Sequence, residues 1–293
     1  MMAQAPLAEF ERIANRTKRE LMARVPPIGW AVEMRHERRL RHHAPRLAPI
    51  PAAQAQLVSR LRREGAIVTT LDELDLSGTD ALKESLGILA ARLAAQTGSD
   101  RLGRDDVVET GVWQWGLRTD VLALVENYLG LPAQYCEPEV RREPANGRYD
   151  TVRQWHRDPE DHRMFKIIIW LQDVSPAGGA FEWLPRSHTE AATRKLGYVS
   201  GFVGDDDMEQ VMPRQLWRSA PGPRWTAVLG DTMSVFHRAG VPADKDRYSV
   251  TFSWTSRWPI KPFPIDPFSD AQAEAIRKGL SPRQRAALPK AIR

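Results

Sequence analysis

Two histidines and an aspartate are the residues of this chain best suited to bind a metal ion. His156 and Asp158 stand two positions apart, and His237 follows much further along the chain. Because a β-strand projects alternate side chains to one face, His156 and Asp158 can reach one ion from the same side of a sheet. With His237 as a third ligand, the opposite face of the ion stays free for substrate and dioxygen. That arrangement favours Fe(II) in an oxygenase.

The sequence around His237 predicts where this histidine lies. Residues 232–238 are typical of a short strand, in which Met233, Val235 and His237 share one face. The histidine would then end an inward, apolar row at the mouth of a barrel. A hydrogen-bonded core histidine fits the same position, and a lone His-x-Asp pattern often arises by chance. The assignment therefore depends on the residues that follow.

Residues 247–254 alternate strictly between polar and apolar side chains. Arg247, Ser249, Thr251 and Ser253 would face one way, and the aromatic and aliphatic residues between them the other. The polar face is either exposed to water or turned into an enclosed site, with helices covering the other face. In the second case, Arg247 can bind a carboxylate through two parallel hydrogen bonds and Ser249 can add a third. A dicarboxylic co-substrate could be held this way.

A longer pattern joins these two halves. Gly178-Gly179-Ala180-Phe181-Glu182-Trp183-Leu184 runs into Pro185-Arg186-Ser187-His188, and Arg247 follows His237 after about ten residues. In order and spacing, residues 139–258 resemble the phytanoyl-CoA dioxygenase family of Fe(II)- and 2-oxoglutarate-dependent oxygenases. The pattern of that family is His-x-Asp, a Gly-rich run into Pro-x-Ser-His, a distal His and then an Arg.

The resemblance implies a fold, a cofactor and roles for single residues. It implies a double-stranded β-helix, a cupin-like jelly roll, with Fe(II) bound by His156, Asp158 and His237. Arg247, with Ser249, would bind the far carboxylate of 2-oxoglutarate, and dioxygen would be the second co-substrate. Trp170 falls where the family often has an aromatic residue beside 2-oxoglutarate, although a plain core position fits it equally. A carboxylate at Asp158 disfavours halogenation, because related halogenases have glycine or alanine there.

The helical and strand patterns predict one domain, mainly β with helical additions. Residues 1–134 are expected to be mainly helical, with an apolar pattern that begins at Leu7, Phe10 and Ile13. Residues 135–260 would form the jelly-roll core, because short strands separated by turn residues are typical of a sandwich or barrel. Residues 261–293 would be a helical tail. The expected core strands are 140–142, 152–156, 165–174, 180–184, 225–229, 232–238 and 248–254.

Composition and charge narrow the class of protein. The chain of 293 residues is 42% hydrophobic and 27% charged, as in globular proteins, and no apolar run is long enough to cross a bilayer. The amino terminus lacks the apolar core of a secretory signal and Cys136 is the only cysteine, so we expect a cytoplasmic protein. The net charge of +5 permits an anionic partner. Much of it lies in a basic stretch, which is either a solvated helix face or a contact for phosphate or nucleic acid, formed by Arg35, His36, Arg38, Arg39, Arg41, His42, His43 and Arg46.

The substrate is the least constrained part of the hypothesis. We expect hydroxylation, desaturation or ring formation at a C–H bond of a small molecule, in natural-product biosynthesis, with neither nucleic acid nor membrane as a partner. Trp113 and Trp115, on one face of a possible strand, could line a pocket for a hydrophobic or ring-bearing molecule. Arg153, Arg157 and Lys166 could meet an acidic group on it. The alternatives are a nucleic-acid or protein dealkylating oxygenase and a metal-binding β-barrel without catalysis.

Overall fold

The structure, a computed structural model, describes Thr17 and residues 25–293. The helical pattern predicted at Leu7, Phe10 and Ile13 lies outside the described residues. Helices precede the strands, interrupt them and follow them. They are α1 (Pro26–His43), α2 (Ala52–Glu64), α3 (Thr79–Ala95), α4 (Arg104–Glu109), α5 (Val112–Trp115), α6 (Thr119–Leu129), α7 (Arg186–Leu196), α8 (Asp205–Val211), α9 (Asp270–Arg277) and α10 (Pro282–Ala286).

The strands form two antiparallel sheets. They are β1 (Ala66–Thr70), β2 (Ala133–Tyr135), β3 (Glu139–Glu143), β4 (Phe165–Trp170), β5 (Phe181–Trp183), β6 (Arg218–Ser219), β7 (Thr226–Asp231), β8 (His237–Ala239) and β9 (Arg247–Ser256). The major sheet has the order β1-β7-β4-β9-β2, with β3 also paired to β9, and the minor sheet has the order β6-β5-β8. The crossing of the chain between two facing sheets is that of a jelly roll, and neither sheet closes into a barrel.

Apolar side chains fill the space between the two sheets. Ile168 and Trp170 of β4 and Val228 of β7 pack against Phe181 and Trp183 of β5. Strand alternation turns Ile167 and Ile169 of β4 to the opposite face of the major sheet. There they join Phe252 and Trp254 of β9 in the main core, together with the helices. The predicted mainly β jelly roll, packed by helices on the outside of its major sheet, is therefore confirmed. One of its strands, β1, comes from residues 1–134, which are expected to be mainly helical with a short β-type run at Ala66–Thr70.

Two of the predicted strands are wrong in part. Residues 151–153 form a 3₁₀ turn, and His156 takes part in an isolated bridge with His237. Residues 232–236 form a turn closed by hydrogen bonds from Ser234 N and Val235 N to the Asp231 carbonyl, so that β8 begins only at His237. Met233, Val235 and His237 therefore do not share a strand face. Turn hydrogen bonds over three or four residues compete with an extended chain, and the apolar alternation does not reveal them.

Two further findings concern membrane-spanning helices and the single cysteine. No helix in the described part of the chain is both long and apolar enough to span a bilayer. The thiol of Cys136 is free and fully buried, and burial raises its pKa. This thiol is therefore a core group without a partner for disulfide formation.

Asp231 is a buried carboxylate that joins three parts of the fold. One of its oxygens accepts a hydrogen bond of 2.6 Å from the Tyr128 hydroxyl of α6, and the other accepts one of 3.0 Å from Met164 N, just before β4. Its backbone N–H donates to the Gly65 carbonyl before β1, at 2.8 Å. Burial raises the pKa of Asp231, so this carboxylate depends on its donors.

We expect Tyr128→Phe to lower the free energy of unfolding by about 1–3 kcal/mol, because it leaves a buried carboxylate oxygen without its donor. Urea unfolding followed by circular dichroism measures the loss. Tyr149→Phe is the matched control, since the exposed Tyr149 hydroxyl also donates to an aspartate, Asp205, at 2.8 Å. An equal loss in both variants would contradict the special role of the buried pair.

Candidate metal centre

Backbone hydrogen bonds hold the three candidate ligands beside one another. His156 and His237 exchange two N–H to carbonyl bonds, each of 3.0 Å, so the two residues face each other as an antiparallel pair. Asp158 N donates to the Thr232 carbonyl at 3.0 Å. His156 and Asp158 are thereby attached to β8, which carries His237, and to the turn that precedes it.

The side chains converge in the manner that a metal ion requires. One donor atom from each of His156, Asp158 and His237 lies within 4.8 Å of the other two. Asp158 Oδ1 is 3.8 Å from Nε2 of each histidine. The Nδ1 atoms lie 2.8 Å from the Gln154 carbonyl and 3.2 Å from the Val235 carbonyl. A protonated Nδ1 donates to these carbonyls and leaves both Nε2 lone pairs toward the centre, which is the tautomer that a metal ligand needs.

The protonation states also suit a metal. Burial, together with the neighbouring His156, lowers the pKa of His237 to about 3, and burial lowers the pKa of His156 too. Burial alone would raise the pKa of Asp158, but Lys166 and the two imidazoles outweigh it and hold that pKa below its usual value. At neutral pH the set is thus two neutral imidazoles and one carboxylate, and a cation displaces no proton from it.

Lys166 was expected to meet the substrate, but it contacts the metal-binding aspartate. Its Nζ lies 2.6 Å from Asp158 Oδ2, while Oδ1 faces the histidines. Burial disfavours the lysine charge, and the Asp158 carboxylate outweighs it and raises the pKa of Lys166. The ion pair leaves Oδ1 as the oxygen available to an ion.

A cavity of about 890 Å³ opens beside the triad and runs along the polar face of β9. Its wall contains all three candidate ligands and, from β9, Arg247, Ser249, Thr251 and Ser253. Strand register places Lys166, Ile168 and Trp170 of β4 next to these residues, and they line the cavity as well. Of the two arrangements predicted for this polar face, the structure has the one in which it points into an enclosed space.

Arg247 is a buried cation that forms no salt bridge within the described residues, although the carboxylate of Glu143, its cross-strand neighbour on β3, is near enough to favour its charge. It is 4% exposed, its Nη1 donates one long hydrogen bond of 3.4 Å to the Gly240 carbonyl, and its Nε has no acceptor among the described residues. The guanidinium carbon lies 5.3 Å from the centroid of the Trp170 ring. Burial lowers the pKa of Arg247 to about 10, which still leaves the side chain charged at neutral pH. Such a group is a ready site for a carboxylate.

Three residues predicted for a substrate pocket lie elsewhere. Arg153 is buried in an ion pair of 3.2 Å with Glu143, and Arg157 Nε donates to the Met233 carbonyl at 2.7 Å. Trp115 packs in the main core against Phe252, with ring centroids 4.7 Å apart. Trp113 does line the cavity, but both tryptophans belong to the helix α5, not to a strand, because a period of two cannot be distinguished from a helical turn over four residues.

The cavity is also lined by ionic side chains that the sequence did not single out. Arg101 pairs with Glu139 at 2.6 Å, Arg104 pairs with Glu137 at 2.7 Å, and Arg141 pairs with Glu143. Glu139, Arg141 and Glu143 stand on one face of β3, opposite Thr251, Ser249 and Arg247 of β9. The alternation of residues 139–143 contains this signal, but nothing in the sequence shows that β3 pairs with β9.

Comparisons with known proteins give similarity to solved structures alone. No protein-family model matches the chain, and no curated protein matches it by sequence. The non-haem α-ketoglutarate-dependent epimerase SnoN from nogalamycin biosynthesis is 18% identical over 79% of this chain and 93% of its own, with a TM-score of 0.47. EctD from S. alaskensis with bound Fe is 17% identical over 71% and 78%, with a TM-score of 0.48. HygX from Streptomyces hygroscopicus, with nickel and 2-oxoglutarate bound, is 12% identical over 72% and 88%, with a TM-score of 0.48.

None of these structures is similar enough to assign an activity to this chain. The residues that line its own cavity, the triad and Arg247 above all, carry the functional assignment instead.

Asp158→Ala should abolish stoichiometric binding of Fe(II), because it removes the single carboxylate from a set of three ligands. Anaerobic titration calorimetry with Fe(II) measures the stoichiometry. His188→Ala is the control, since His188 belongs to α7 and is absent from the convergent group among the described residues. Loss of iron from the His188 variant would show that the distal ligand is assigned to the wrong histidine.

Proposed function

We propose that this protein is an Fe(II)- and 2-oxoglutarate-dependent dioxygenase of the phytanoyl-CoA dioxygenase type, which oxidises a C–H bond of a small molecule. The observation that supports the proposal is the presence, in one cavity, of a two-histidine, one-carboxylate triad and a buried arginine that has no salt bridge in the described part of the chain. A triad alone would suit several metals, and a buried arginine alone would suit many anions. Together they match a metal ion and a dicarboxylate bound side by side.

Arg247 carries the 2-oxoglutarate part of the proposal. A buried, unpaired charge costs folding free energy unless a ligand compensates for it. The far carboxylate of 2-oxoglutarate compensates by accepting two parallel hydrogen bonds from the guanidinium, and Ser249, two residues along the same face of β9, is placed to donate a third. Trp170 covers the guanidinium and excludes water from the ion pair.

The protein residues hold and shield the reacting groups. When bound, Fe(II) and 2-oxoglutarate supply with dioxygen the oxidant for a C–H bond, and succinate and carbon dioxide are the co-products. His156, Asp158 and His237 bind the metal on one side, and Lys166 fixes the rotamer of Asp158 through its outer oxygen. A carboxylate at Asp158 fills the position that a halide would need, which favours hydroxylation, desaturation or ring formation over halogenation.

The cavity mouth favours a polar substrate. A hydrophobic or ring-bearing molecule is the expectation from the sequence, but arginine and glutamate pairs line the same cavity as the buried Trp113. Paired charges of both signs offer donors and acceptors to a molecule with several hydroxyl, amino or carboxyl groups. A small polar molecule of natural-product biosynthesis fits this entrance.

A nucleic-acid dealkylating activity fits the same entrance poorly. The cavity is lined by five basic and five acidic side chains, and the pairs Arg101–Glu139 and Arg104–Glu137 neutralise each other. Such a lining offers no excess of positive charge to a polyphosphate backbone. A metal-binding barrel without catalysis leaves the burial of Arg247 without a purpose.

The decisive experiment is anaerobic addition of Fe(II) and then 2-oxoglutarate to the protein. We expect a visible charge-transfer band that needs both additions, followed by succinate formation when air is admitted. Candidate small molecules are then screened for those that stimulate succinate, and mass spectrometry looks for the gain of one oxygen. Absence of both the band and succinate would rule out the oxygenase.

Arg247→Met separates a functional from a structural role for the arginine. It should raise the KM for 2-oxoglutarate by roughly 100-fold, because two charge-assisted hydrogen bonds are lost, and leave the free energy of unfolding unchanged or larger, because an unpaired buried charge is removed. Steady-state kinetics and urea unfolding measure the two effects. Arg218→Met, on the exposed strand β6, is the control for a general loss of charge. An unchanged KM, or marked destabilisation, would contradict the proposed anchor.

A further inference from the structure

A second cavity, of about 490 Å³, lies where the end of α1 meets the segment that follows β9. The end of the basic stretch identified in the sequence lines this cavity and lies outside the proposed oxygenase site. Its wall is formed by Arg39, His42, His43, Arg46, Glu126, Pro132, Arg257, Trp258 and Arg283. Four arginines and two histidines therefore face a space the size of a small molecule, with one carboxylate among them.

The carboxylate is already satisfied by the protein. Glu126 Oε1 accepts from Ala133 N at 3.2 Å, and Oε2 accepts from Arg283 Nη2 at 2.6 Å. Glu126 also favours the charge of Arg257 from a distance, but within the described residues Arg39, Arg46 and Arg257 form no salt bridge at this cavity.

Those three arginines use little of their hydrogen-bonding capacity. Within the described residues, Arg39 and Arg257 donate no side-chain hydrogen bond, and Arg46 Nη1 reaches only the ring and the carbonyl of His42. The Nε atom of Arg257 and the Nε2 atom of His43 are buried without partners. Burial and the nearby Arg293 lower the pKa of Arg257, so a positive charge is disfavoured there.

An aromatic ring completes the wall. Trp258 is 45% exposed, and the guanidinium carbon of Arg39 lies 4.9 Å from its ring centroid. The stacking holds Arg39 at the cavity without using any of its N–H groups.

We propose that this cavity, which we call the arginine pocket, binds a small phosphate-bearing molecule. Three guanidinium groups that form no salt bridge with a described residue surround one space, and they match the double charge and the several oxygens of a phosphate monoester better than they match a single carboxylate. Binding of the anion would remove the mutual repulsion of Arg39, Arg46 and Arg257 and supply the missing acceptors.

The arginine pocket is separate from the metal centre and does not depend on the proposed oxygenase activity. Arg247 opens β9 inside the first cavity, whereas Arg257 follows the last residue of the same strand. Ten residues of strand span about 33 Å. The two anion sites can therefore be tested with different variants.

The test is titration calorimetry of the full chain, without added Fe(II), with inorganic phosphate at low salt. We expect saturable binding of one phosphate. Arg46→Gln and Arg257→Gln should each weaken it about tenfold, since each removes charge-assisted hydrogen bonds. Arg46 is exposed, so its variant remains informative if the Arg257 variant folds poorly.

Arg38→Gln is the matched control, because Arg38 belongs to the same basic stretch as Arg46, is exposed on α1 and does not line the cavity. Unchanged phosphate binding in this variant supports the arginine pocket. A loss of affinity equal to that of Arg46→Gln would show that overall positive charge, and not the pocket, binds phosphate. Absence of saturable binding at millimolar phosphate overturns the proposal. Tighter, steeply salt-dependent binding of a single-stranded oligonucleotide than of phosphate would also overturn it, in favour of a nucleic-acid surface.

Discussion

The paired backbone hydrogen bonds between His156 and His237 are the constraint on which the candidate metal centre depends. They join two segments that are far apart in the chain, and they set the separation of the two imidazoles before any ion is bound. The residues that precede these histidines strengthen the pairing, because Trp155 and Phe236 are fully buried in one apolar cluster behind the site. Each histidine is thus held from the rear by packing, along the backbone by the pairing and at Nδ1 by a carbonyl. A ligand set so restricted loses little conformational freedom when it binds a metal.

Most of the charged side chains that line the first cavity are held in ion pairs. Lys166 and Asp158 neutralise each other beside the histidines, and the arginines and glutamates at the mouth are paired. Arg247 is the exception at the centre of the cavity. In this cavity a buried arginine without a salt bridge to any described residue suits an anion of complementary shape. The structure therefore distinguishes side chains that maintain the cavity from one that is available to a ligand.

Much of this could be read from the sequence where the pattern is local. The alternation of residues 247–254 predicted β9 and the face that carries Arg247, and the spacing of His156 and Asp158 predicted a shared direction, although a bridge and a turn provide it instead of a regular strand. The errors arose where hydrogen bonds and ion pairs override the alternation of side chains. The residues around Met233 turn because the Asp231 carbonyl accepts two N–H groups, and Arg153 is held away from the cavity by Glu143. The alternation records which side chains share a face and encodes neither the turn nor the ion pair.

The central position of β9 limits how this protein can change during evolution. The strand is hydrogen-bonded to β4 on one side and to β2 and β3 on the other, and it carries polar residues on one face and aromatic residues on the other. Gain or loss of one residue would exchange the two faces and bury the polar side chains in the core. The loop residues at the cavity mouth, such as Pro264 and Asp266, have no such register to keep. New substrate preferences can therefore arise by insertion and deletion at the mouth, while the β9 wall of the cavity is open only to substitution.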